Sequence, residues 1–108
     1  MFKQSQRFSF RNGAPKQKII TPLYILRFQK SDAPRYAVVA GKVVSKKAVL
    51  RNRTKRIFIV ALKEVFEKST VSCDLVFFLR RPYTEYTKSA IIAELQDLLG
   101  KLNTLQTT

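Results

Sequence analysis

The stretch AVLRNRTKRIFIVALKEVFEK, residues 48–68, decides the fold. Leu50, Thr54, Ile57, Phe58, Ala61, Leu62 and Val65 recur along it at 3.6-residue spacing, the pattern of a helix buried along one side. Such a helix needs a surface to lie on, and its flanks supply one. Upstream, Thr21–Gln29 alternates, with Tyr24, Leu26 and Phe28 on one side and Leu23, Ile25 and Arg27 on the other. Ser31-Asp32-Ala33-Pro34 is a loop of hairpin length, and Arg35–Ala40 is a returning strand, so these two strands are expected to pair as antiparallel neighbours. Downstream, Asp74–Arg80 is nearly all apolar, which predicts a strand covered on both faces at the centre of the sheet, ended by Pro82. A second helix is predicted from Thr87 to Leu102, turning Ile91, Leu95, Leu98, Leu99 and Leu102 inward, with Thr84 or Thr87 as its N-cap.

The order β-β-α-β-α reads as an α+β two-layer sandwich. Residues 1–20 read as a basic N-terminal arm without regular structure, residues 21–103 as one domain, and residues 104–108 as a frayed tail. Phe2, Phe8 and Phe10 sit among the charges of the arm, free either to pack on the domain or to stack on bases.

Charge is distributed unevenly along the 108 residues. Residues 1–63 hold sixteen Lys/Arg against the single acid Asp32, a net of +15; residues 64–108 hold five against six acids, a net of −1. Self-repulsion on that scale stabilises nothing within the chain, so the field points to a polyanionic partner. Nucleic acid fits best, since neutralising phosphates releases counterions and gives affinity without a deep pocket. An anionic membrane surface fits less well, and the longest apolar runs, such as Ile57–Leu62, are far too short to span a bilayer. No apolar stretch follows the early charges, so a chain without a secretory signal, resident in the cytoplasm with Cys73 reduced, is expected.

Composition also removes chemistries. Without histidine, neither a Ser-His-Asp nor a Cys-His nucleophilic site can be built, and one cysteine leaves neither a disulfide nor an ordinary zinc site. The acids Asp32, Glu64, Glu67, Asp74, Glu85, Glu94 and Asp97 are scattered, and Glu64 and Glu67 share a helical face in the manner of surface ion pairing. The three glycines form no phosphate loop. No catalytic residue and no protein metal site is expected.

What remains is a cationic constellation. Lys42, Lys46, Lys47, Arg51, Arg53, Lys55 and Arg56 follow one another without an intervening acid, and Asn52 adds an amide that both donates and accepts. Cations in the first turns of a helix oppose its dipole, a local cost that a purely structural helix avoids. Anchored by the apolar stripe, these groups are held rigidly, as recognition of RNA shape requires. By the same helical wheel, Ile59 falls on the exposed basic arc.

The segment Lys46-Lys47-Ala48-Val49-Leu50-Arg51-Asn52-Arg53-Thr54-Lys55-Arg56-Ile57 resembles the signature of the bacterial ribonuclease P protein family, its RNR motif. The flanks agree: a Pro22–Phe28 strand, Arg35–Gly41 leading to Lys42, and Asp74–Pro82 with its Arg80-Arg81-Pro82 ending, so that the likeness covers roughly residues 20–102. The resemblance implies the family fold, a sandwich like the second domain of ribosomal protein S5 with a left-handed βαβ crossover. It also implies the family role, a protein subunit that binds the catalytic RNA of ribonuclease P and the 5′ leader of precursor tRNA, hydrolysis being done by the RNA with Mg²⁺. Carried over by position, Arg51, Asn52, Arg53, Lys55 and Arg56 contact the catalytic RNA, supported by Lys42, Lys46 and Lys47. Phe8, Phe10, Arg27, Arg80 and Arg81 are implied in leader binding. The sequence departs from the family pattern at Val43, where a second Lys is frequent, and at Ile59, where another Arg is common.

Other classes share parts of this profile. A ribosomal or generic RNA-binding module has the size and charge but no need of the full motif with its flanking strands. A DNA-binding regulator could use Arg51–Arg56 as a recognition helix, but no helix-turn-helix precedes it. A free-standing nuclease with carboxylate-held Mg²⁺ is disfavoured by the scattered acids.

Overall fold

The computed structural model describes residues 15–32, 34–67, 72–83 and 86–107, with side chains as far as Leu102. Phe2, Phe8, Phe10 and Thr84 lie outside the described residues. The elements run β1 (Gln17–Ile20), β2 (Tyr24–Lys30), β3 (Arg35–Val39), α1 (Ala48–Phe66), β4 (Cys73–Leu79) and α2 (Lys88–Thr107).

The sheet order is β1-β2-β4-β3, with β4 antiparallel to β2 and parallel to β3, so α1 is the crossover of a βαβ unit. The expected β2–β3 hairpin is therefore corrected: the two strands are separated by β4. The reason lies in β4 itself, CDLVFFL, in which every residue except the half-buried Phe78 is buried. A strand apolar on both faces belongs where strands flank it on both sides. The chain consequently passes from β2 to β3 across the end of β4 instead of through a tight turn, and the Ser31 N–H donates to the Ser72 carbonyl at 3.1 Å. Arg35 secures that crossing, its guanidinium reaching Asp32 at 2.8 Å and Asp74 at 3.3 Å, while Gln29 Nε2 donates to Asp74 at 2.7 Å.

The N-terminal region is also more regular than expected, because Gln17–Ile20 forms β1 on the outer side of β2. Thr21 makes the turn between them: its Oγ1 accepts from the N–H groups of Leu23 and Tyr24 and donates to the Tyr24 carbonyl. At the other end of the chain, α2 continues beyond Leu102 to Thr107. Its start is capped by Thr87, whose hydroxyl accepts from the Ala90 N–H at 3.1 Å.

Both helices cover one face of the sheet. Tyr24, Leu26, Phe28, Tyr36, Val38, Leu75, Phe77 and Leu79 meet Phe58, Ala61, Leu62 and Phe66 of α1 and Ile91, Leu95, Leu98 and Leu102 of α2 in one core. Edge-on and tilted ring contacts stitch the layers, Tyr24 to Phe58 at 5.7 Å, Phe58 to Phe77 at 4.9 Å and Tyr36 to Phe66 at 6.1 Å between centroids.

Candidate nucleic-acid interface

The contacts of α1 fix its direction. Phe66, at its C-terminus, packs on Tyr36 near the start of β3, while Thr54 in its first half and Phe58 near its middle meet Tyr83 beyond the end of β4. The first turns of α1, the loop leaving β3 and the segment leaving β4 are thus gathered at one end of the sheet. Lys42, Lys46, Lys47, Arg51, Asn52, Arg53, Lys55, Arg56, Arg80 and Arg81 all come from these three pieces. Asp32, Asp74 and Glu67 sit at the other end, on the opposite termini of the same elements.

The loop before α1 is held from within. Val44 is buried, and its N–H donates to the Gly41 carbonyl at 3.0 Å, so Lys42 and Val43 ride outward on a turn. Ser45 Oγ accepts from the Lys47 N–H at 3.1 Å. The helix itself starts without a side-chain cap and without an acid in its first turn, so neither usual device stabilises its positive end. Arg51 braces the loop that precedes the helix: its Nη1 donates to the carbonyls of Ser45 at 3.2 Å and Lys46 at 3.3 Å. It is half-buried and holds the loop against the helix.

The remaining cations point away. Arg53 and Arg56 are exposed, as are Lys42, Lys46, Lys47 and Asn52, and Lys55 is half-buried. The ion pairs of Arg35 with Asp32 and Asp74 and of Lys88 with Glu64 lie away from the cationic end, and among the described residues no carboxylate pairs with its cations. Thr54, in the middle of the basic run, is buried, and its Oγ1 accepts from the Tyr83 N–H at 3.4 Å. Tyr83 in turn donates its hydroxyl to the Leu23 carbonyl at 2.9 Å, and the Arg80 N–H reaches the same oxygen at 3.0 Å. Arg80 Nη1 donates to the Thr21 carbonyl at 2.9 Å, leaving Arg81 as the unengaged cation of that pair among the described contacts.

The second surface is the sheet face away from the helices. The register aligns Lys18, Arg27, Val76 and Ala37 in one row and Ile20, Ile25, Phe78 and Val39 in the next. Val76 is fully buried at the middle of this face, and Phe78 is half-buried beside it. Arg27 lies here as expected, on the β1 side and separate from the helix cluster, with Nη1 at 3.4 Å from the Pro15 carbonyl. Ile25 lies beside Arg27 on this face, and Phe78 and Val39 extend it into an apolar row. The outward alternation of β2 was visible, but Phe78 and Val39 join it only through the unexpected strand order.

Ile59 is corrected. It is half-buried and packs against the core rather than standing in solvent. With Asn52, Lys55, Arg56 and Val60 it lines a depression of about 620 Å³ along the side of α1.

Burial pushes the phenols of Tyr24, Tyr36 and Tyr83 upward, and for Tyr83 the nearby Tyr24, Tyr86 and Glu94 add to this while Arg81 opposes it. All three phenols are moved away from neutrality rather than tuned toward acid–base work. Among the described residues, no three His, Cys, Asp or Glu are grouped to hold a metal ion. No described helix is long and apolar enough to cross a membrane.

Fold and charge together define a class: a small basic α+β domain with a rigid cationic helix start and a partly apolar sheet face away from its helices, suited to a polyanion. The family model for ribonuclease P matches residues 2–103, and the chain belongs to the ribonuclease P protein family. Its place is therefore in the enzyme complex that matures the 5′ end of tRNA, alongside ribonuclease P RNA. A solved RNase P protein from Staphylococcus aureus has a similar fold, with a TM-score of 0.62 at 22% identity over 78% of each chain. No curated protein sequence matches the chain.

Proposed function

We propose that this chain is a non-catalytic subunit that grips the catalytic RNA with the loop at Lys42–Lys47 and the first turns of α1, and lays the single-stranded 5′ leader of precursor tRNA along the sheet face away from the helices. The observation that carries this reading is the un-neutralised cationic end: Lys42, Lys46, Lys47, Arg53 and Arg56 stand exposed on a core-anchored scaffold, with no carboxylate partner among the described residues. The positive end of the α1 dipole adds to their field. Arg27 and the row Ile25, Phe78 and Val39 offer a cation beside an apolar floor, the pairing that binds single strands without reading sequence.

Hydrolysis would fall to the RNA, whose bound Mg²⁺ would supply an activated water and stabilisation of the leaving oxygen. The acids of this chain form no cluster suited to that ion among the described residues. The protein contributes potential, leader binding and support for the RNA, in the cytoplasm where tRNA precursors are processed. Reconstitution tests this directly. Protein freed of RNA is expected to leave precursor tRNA intact, and to restore cleavage by the cognate RNA at low Mg²⁺. Cleavage by the RNA-free protein overturns the division of labour. Binding to structured RNA without any rescue of cleavage favours a ribosomal or general RNA-binding role instead.

A further inference from the structure

Phosphate neutralisation explains the cations of α1 but not the aliphatic side chains set among them. Asn52, Lys55, Arg56, Ile59 and Val60 fall at i, i+3, i+4, i+7 and i+8, one side of the helix, and line the 620 Å³ depression. That volume lies within the range of about 300–1,000 Å³ typical of small-ligand clefts. Its floor is firm, because Ile59 is half-buried against the core. Val60 remains 53% exposed, an aliphatic group in solvent beside two cations. Asn52 is exposed and makes no hydrogen bond to the protein among the described residues, so both its donor and its acceptor face outward.

We infer that this depression holds one unstacked nucleobase, an adenine, of the RNA that α1 binds. The inference rests on the proposed function and extends it from backbone attraction to base recognition. An aliphatic floor suits the face of a base and repels a phosphate. A carboxamide matches the neighbouring donor and acceptor on the edge of adenine, the pairing Asn makes with its N6 and N7. Lys55 and Arg56 flank the floor where the phosphates on either side of an extruded nucleotide would run. Unpaired bases splayed from loops and bulges are the parts of RNA that proteins read most readily.

The test uses the full chain with ¹³C-labelled Ile and Val methyl groups, titrated at low salt with hexaadenylate and with an abasic hexamer of the same ribose–phosphate backbone. Ring currents from a seated base are expected to move the methyl signals of Ile59 and Val60 with hexaadenylate and leave them in place with the abasic strand. Asn52→Ala is expected to weaken hexaadenylate binding about tenfold with an unchanged salt dependence, since no phosphate contact is lost. Its exposed position makes an unaltered amide spectrum the check that the fold persists. Ile59 and Val60 signals that respond equally to both strands, or to neither at saturation, overturn the base site. That result leaves the proposed function standing, because rescue of cleavage by the cognate RNA is measured separately.

Discussion

Arg51 and Arg53 lie two residues apart in the same motif, yet their removal is expected to change stability in opposite directions. Each is a cation near the start of α1, where the helix dipole disfavours positive charge by about 0.3–1 kcal/mol in the first turn and by less beyond it. Arg53 is exposed and has no partner among the described residues, so Arg53→Ala is expected to return that energy and stabilise the free protein slightly. Arg51 loses the same repulsion on substitution but also gives up its bonds to the carbonyls of Ser45 and Lys46. Two such bonds are worth about 0.5–1.5 kcal/mol each. One of them is solvent-exposed and both are made by one nitrogen, so the sum is taken near the lower end, about 1 kcal/mol, and after the dipole gain Arg51→Ala is expected to destabilise by about 0.5 kcal/mol. For a domain of this size that is a fall in Tm of about 2–4 °C, readable by calorimetry. Amide exchange at Val44–Lys47 should rise in Arg51→Ala alone, since only that variant frees the loop. Binding to the catalytic RNA should weaken by about 1–3 kcal/mol in both, with the salt slope for Arg53→Ala shallower by about one. Equal loss of stability in the two variants, or an undisturbed loop in Arg51→Ala, refutes the assignment of Arg51 as the brace of the cationic end.

Four further outcomes are expected. Tyr83→Phe removes a buried hydroxyl bond to the Leu23 carbonyl, but that oxygen keeps the Arg80 N–H, so a loss of about 1 kcal/mol is expected in denaturant titration, and a loss above about 3 kcal/mol contradicts it. Burial holds the phenols of Tyr24, Tyr36 and Tyr83 neutral in the folded state above their usual value of 10.0. Ionisation therefore favours the unfolded chain, stability falls as pH rises past about 10, and Tyr83→Phe should move the alkaline unfolding midpoint upward when followed by circular dichroism. Asp74→Ala strips a buried carboxylate from Arg35 and Gln29 and is expected to cost about 2 kcal/mol; an unchanged unfolding midpoint would show that the crossing at residues 31–34 does not depend on it. Arg27→Ala should weaken holoenzyme binding to precursor tRNA about fivefold or more and leave binding to mature tRNA unchanged, and equal effects on both would remove Arg27 from the leader surface.

Much of this architecture is legible in the residues. The helix stripe from Leu50 to Val65, the two-sided apolarity of Leu75–Leu79 and the inward face of α2 are all periodic signals, and periodicity survives folding. Strand order does not have that property. The four residues between β2 and β3 match a hairpin in length, and only the competition of β4 for both neighbours shows that they bridge a third strand. β1 was hidden because Gln17-Lys18-Ile19-Ile20 is mostly exposed and draws its order from pairing with β2. At the cationic end, the identity of the groups was plain and their environment was not. Nothing in the run Arg51–Arg56 distinguishes an arginine that braces a loop from one that faces solvent, since the carbonyls that Arg51 holds are defined only by the path of residues 45–46. Ile59 shows the converse, because a helical wheel assigns a side but cannot see how far the core extends around it.

The placement of β4 has a kinetic corollary. β2 and β3 share no hydrogen bonds, and their one common neighbour is made of residues 73–79. A nascent chain that has emerged only as far as α1 can close the β1–β2 ribbon but no sheet beneath that helix, and isolated ribbons of two strands are marginal in water. Through that interval the +15 half of the molecule is without its scaffold. Its orderly cationic end comes into being late and all at once, when the strand from the nearly neutral half slides between two strands synthesised long before it.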